Sequence, residues 1–107
     1  MKIFKPAEIA GTREYTGVVK FIVNDSPDYT VGQFILNKGD ILGPESHEND
    51  ETFFVISGSI TVDDTEKGIV HEVNAGEIIV LSAGEEHKVY TTSEDHEAFV
   101  LWFTGKK

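Results

Sequence analysis

Glu45, His47, Glu51 and His87 are the residues of this 107-residue chain whose types and spacing best suit chemistry. Glu45 and His47 are two apart, so in an extended segment both project from one face, about 7 Å apart along the chain. The polar tripeptide Glu48-Asn49-Asp50 can turn the chain. Glu51 then opens a strand on whose face Phe53 and Val55 also lie. A carboxylate leading an apolar face needs a partner, because burying it unpaired is costly. A metal ion is one such partner. His87 begins another β-prone run after the Ala83-Gly84 turn, with Val89 and Thr91 on its face, and could supply a further ligand. The chain has no cysteine, so imidazole and carboxylate must hold any metal. That donor set suits Fe, Mn, Ni, Zn or Cu better than Ca or Mg.

The elements that must position these residues are short. β-prone runs at residues 18–23, 29–36, 52–56, 59–62, 69–73, 78–81, 87–91 and 98–103 are separated by glycine, asparagine, aspartate and serine turns, among them Ser93 to Asp95. No stretch keeps apolar residues at helical spacing, and only residues 5–10 are open to a short helical turn. The pattern predicts an all-β sandwich or barrel. In residues 98–103 the apolar side chains occupy both parities, which predicts a strand buried on both faces.

Composition excludes whole classes of function. Nine basic against nineteen acidic residues give a net charge of -10. That charge repels phosphate backbones and anionic membrane surfaces, so no nucleic-acid or membrane partner is expected. The opening residues lack the apolar core of a signal peptide, and no run approaches a membrane span. A cytoplasmic protein of one domain, residues 1–107, is expected.

The two informative stretches resemble the motifs of the cupin superfamily. In the first, written G-x5-H-x-H-x3,4-E-x6-G, Gly39, His47, Glu51 and Gly58 agree and Glu45 stands where the first histidine would be. In the second, G-x5-P-x-G-x2-H-x3-N, Gly76, Gly84 and His87 agree, with Ser82 for proline and Thr91 for asparagine. These motifs occupy residues 39–58 and 76–91 without insertion. The resemblance implies a double-stranded β-helix, the cupin jelly-roll barrel. It also implies a metal held by Glu45, His47, Glu51 and His87, and a homodimer, for which residues 3–9 are candidates to cover a sheet edge. Two carboxylates make a divalent centre formally neutral, which disfavours anionic substrates and favours Fe or Mn, with Ni, Zn and Cu as alternatives. If Glu45 does not ligate, His47, Glu51 and His87 form a two-histidine, one-carboxylate set and Glu45 is a catalytic proton carrier.

Phe53, Val55, Val89, Trp102 and Gln33 are the candidate pocket residues, whereas His71 and His96 read as an ordinary strand residue and a loop residue. The expected function is metal-dependent oxygenase, isomerase or lyase chemistry on a small polar organic molecule. The alternative is a non-catalytic module that binds or senses such a ligand.

Overall fold

The computed structural model describes residues 1–91 and 97–106. His96 and the expected turn at Ser93 to Asp95 lie outside the described residues. A 3-10 turn at Pro6–Glu8 precedes ten strands. They are β1 (Thr12–Glu14), β2 (Gly17–Val23), β3 (Tyr29–Leu36), β4 (Ile41–Glu45), β5 (Glu51–Ser57), β6 (Ser59–Asp64), β7 (Ile69–Asn74), β8 (Ile78–Leu81), β9 (His87–Tyr90) and β10 (Ala98–Gly105). A six-stranded sheet in the order β1-β2-β3-β10-β5-β8 faces a four-stranded sheet in the order β4-β9-β6-β7. Every pairing is antiparallel, as the jelly-roll expectation requires. Among the described residues no helix is long and apolar enough to cross a membrane.

Alternation decides what fills the space between the sheets. Phe34, Leu36, Phe53, Val55, Val100 and Trp102 point inward from the larger sheet, and Leu42, Ile60, Val62 and Val89 meet them from the smaller one. The register lines these side chains up in rows. Phe21 pairs with Gly32, Gly32 with Trp102 and Trp102 with Phe53, so one row crosses four strands. The next row outward joins Thr30, Thr104 and Glu51, which puts the Glu51 carboxylate beside two threonines at the end of the core.

Two expectations change. Strand β10 is buried on one face only: Ala98, Val100 and Trp102 are covered, while Phe103 is 42% exposed on the other face. The N-terminal segment reaches that outer face only in part, where Lys20 Nζ donates to the Pro6 carbonyl at 2.8 Å and Gln33 is covered, so the apolar residues of both parities do not reflect two fully buried sides. Strand β4 was absent from the expected runs because Gly43 and Pro44 resemble chain breakers. Gly43 has φ 107°, and a Cβ there would stand 2.5 Å from the His87 carbonyl oxygen, so only glycine lets β4 run this close to β9. The pairing shifts register between Leu42 and Glu45, and Glu45 ends up opposite His87.

Candidate metal centre

Three elements bring the site together. Glu45 closes β4, Glu51 opens β5 and His87 opens β9, while His47 stands in the loop between β4 and β5. That loop is held from the neighbouring turn, where the Gly84 N–H donates to the His47 carbonyl at 2.8 Å and the Ala83 N–H to Asp50 Oδ1 at 2.8 Å. Glu45 and His47 therefore converge although the strand between them has ended.

Their ligand atoms cluster. One ligand atom each from Glu45, His47 and His87 lie within 4.8 Å of one another. Glu51 Oε1 is 3.1 Å from His47 Nε2 and 3.6 Å from His87 Nε2, and Glu45 Oε1 is 3.6 Å from His47 Nε2. Two donors on one tetrahedral ion, each about 2.1 Å from it, stand about 3.4 Å apart, so these separations suit a shared cation.

The hydrogen bonds point the same way. His87 is 3% exposed, and its Nδ1 lies 3.0 Å from the Glu85 carbonyl. A carbonyl only accepts, so Nδ1 carries the hydrogen and Nε2 keeps a free lone pair aimed at the cluster. His87 Nε2 and Glu51 Oε1 are both buried with no hydrogen-bond partner among the described residues. Two buried acceptors facing each other repel unless a cation or proton lies between them, and this is the observation by which the donor set fits a metal.

Charge at the site is predominantly acidic. Burial, the largest cause, pushes the Glu51 carboxyl from 4.5 up to about 7; His47 opposes the rise, and the Glu45 and Glu14 carboxylates add to it. Burial and Glu45 also raise Glu14, again against His47. The sequence reading missed Glu14. It is the last residue of three-residue β1 and has no motif around it, but the following turn ties it down: Tyr15 Oη donates to the Pro44 carbonyl at 2.7 Å, and the Ile41 N–H donates to Thr16 Oγ1 at 2.7 Å.

A cavity of about 400 Å³ opens beside the cluster. Phe53, Val89 and Trp102 line it, together with Phe21 and Phe34, which sequence reasoning had not singled out. Two expected pocket residues do not line it. Val55 lies deeper, 2% exposed in the core. Gln33 pairs with Leu101 on the outer parity of the large sheet, because the alternation that turns Thr30, Gly32 and Phe34 inward turns Gln33 away. His71 is an exposed strand residue.

Residues 32–104 match the cupin domain family. The chain belongs to that family. No curated protein matches this cupin significantly by sequence. Solved structures with similar folds include the polyketide cyclase RemF from Streptomyces resistomycificus, at 19% identity and TM-score 0.85, covering 100% of this chain and 80% of that one. KdgF from Halomonas sp. is 18% identical with TM-score 0.80, covering 99% and 95%. A predicted oxalate decarboxylase from Thermotoga maritima is 16% identical with TM-score 0.82, covering 97% and 98%. At these identities the likeness concerns the fold.

Proposed function

We propose that this cupin is a metal-dependent enzyme acting on a small organic molecule, with Glu45, His47, Glu51 and His87 holding a divalent transition metal, Fe or Mn before Ni, Zn or Cu. The observation that carries the reading is the pair of buried atoms, His87 Nε2 and Glu51 Oε1, that lie 3.6 Å apart and make no hydrogen bond among the described residues. The similar fold of a polyketide cyclase supports an enzymatic role over a purely structural one. A metal bound there supplies Lewis acidity to polarise a carbonyl or enediolate, or a centre for dioxygen chemistry.

The chain's own residues divide the remaining work. His87 and Glu51, the two most buried, fix the site from the core side. Glu45 and His47, with side chains 27% and 39% exposed, stand on the cavity side. Where His47, Glu51 and His87 alone hold the ion, Glu45 is the group placed to exchange a proton with a bound molecule and then with water. The surrounding Trp102 and Phe53 keep bulk water from the inner end of the cavity.

Elemental analysis tests the metal. Protein purified and supplied in turn with Fe, Mn, Ni, Zn and Cu should retain close to one equivalent of at least one of them, and His47→Ala or His87→Ala should abolish retention. Less than about a tenth of an equivalent of every metal overturns the reading. The same face that leaves Phe103 exposed also carries Phe54, Ile56, Ile78 and Val80, each at least 38% exposed, and we propose that a second copy of the chain covers it.

A further inference from the structure

Beyond the ligand cluster, the cavity has two unlike walls and a charged mouth. Its inner wall is aromatic. Phe21 meets Trp102 edge to face, centroids 5.7 Å apart, and Phe34 meets Phe53 in the same way at 5.2 Å. The indole rests directly on Gly32, where any Cβ would collide with its ring, so the wall stays shallow and the space in front of it stays open. Leu42 and Val89 face it from the other sheet.

The mouth has one sign of charge. Glu14, Glu45 and Glu48 line it with Asn49, and no lysine or arginine lines the cavity among the described residues. Sites that take carboxylates or phosphates place arginine or lysine against them. Here an anion entering the cavity would meet carboxylates and, once inside, no fixed cation apart from the metal, whose charge the two glutamates of the ligand set already balance.

We propose that the cavity binds an uncharged, flat, ring-bearing molecule that lies between the aromatic and aliphatic walls and presents a hydroxyl or carbonyl oxygen to Glu45, His47 and His87, and that it rejects carboxylates. This rests on the same site as the proposed metal-dependent function and names its substrate class. The aromatic wall contributes the attraction through stacking and burial. The three mouth glutamates contribute the discrimination, and Glu14 and Glu48 do so without belonging to the ligand set.

The chain's single tryptophan is Trp102, so its indole N–H gives one NMR resonance from the cavity wall. The probes are 2-naphthol and its carboxylate analogue 2-naphthoate, titrated at pH 7 into zinc-loaded and metal-free full-length protein, with affinities from calorimetry. The expected result is a saturable shift of the Trp102 resonance by 2-naphthol in both forms, with 2-naphthoate at least tenfold weaker. The Glu14→Gln, Glu48→Gln double variant should narrow that ratio at least threefold, chiefly by strengthening 2-naphthoate binding. No saturable shift with 2-naphthol, or 2-naphthoate binding as tightly as 2-naphthol, overturns the proposal. So does an unchanged ratio in the double variant. Metal content measured on the same protein, supplied in turn with Fe, Mn, Ni, Zn and Cu, separates the two readings: protein that retains a metal and fails the titration loses the ligand class alone, and protein that binds 2-naphthol while retaining none of the five loses the metal site alone.

Discussion

Glu51 couples the site to stability. Its folded pKa of about 7 lies above its ordinary 4.5, so between those values the folded metal-free chain holds a proton that the unfolded chain has lost. The stabilising contribution is complete below about pH 4.5 and is lost as pH rises through about 7. Metal-free protein should therefore melt at progressively lower temperature across that window, and Glu51→Gln should remove this component and raise the melting temperature at pH 7. Thermal unfolding of both proteins from pH 4.5 to 8 checks it, and matching slopes would contradict the burial of an ionisable group. Saturating metal should reverse the trend, because protons compete with the ion for Glu51 and the histidines. Which acids surround the candidate metal site was only partly readable from sequence. Glu45, Glu51 and the two histidines stand out because ligands recur at fixed spacing along strands and turns. Glu14 does not, because it reaches the site through the Tyr15 and Thr16 tether, a contact between segments far apart in the chain.

Among the elements, β4 carries the greatest positional demand. Gly43→Ala adds a Cβ against the His87 carbonyl at a residue with φ 107°, and should cost about 2 kcal/mol or more in chemical denaturation. It should also weaken metal binding at least tenfold, since the strand it displaces holds Glu45 opposite His87. Gly39→Ala is the control. Its φ of 94° brings a similar backbone penalty with open space around the new Cβ, so about 1 kcal/mol and little change in metal affinity are expected. The strands differ in legibility for physical reasons. β3 and β8 are readable to the residue because apolar or β-branched residues fill β8 and dominate β3, each between clear turns. β4 is disguised by its glycine and proline, and β1 is three polar residues with no pattern of their own.

At the scale of the whole molecule, the outer face of the large sheet is the surface on which the proposed dimer rests. Phe54 pairs with Ile78 and Leu101 with Phe54, so the exposed apolar side chains form a connected patch, and the strand residues sharing it include no carboxylate. Two chains of charge -10 repel over most of their surfaces and least over this one. Sedimentation at micromolar concentration should show a dimer, and a Phe54→Lys, Ile78→Lys double variant should sediment as a monomer with unchanged far-ultraviolet circular dichroism. A monomeric parent protein would contradict this. The sequence reading sought the cover at a sheet edge, because parity alone does not tell which face of β10 is left partly open. The hairpin of β1 and β2 has a different bearing on the molecule. It supplies Glu14, Val19 and Phe21 to the cavity and lies wholly before residue 32, where the family match begins. Part of the entrance is thus carried on a stretch of chain separate from the candidate ligands: an exchanged hairpin would regrade the width and charge of the entrance while Glu45, His47, Glu51 and His87 kept their places, so cupins with identical candidate ligand sets can differ in what they admit.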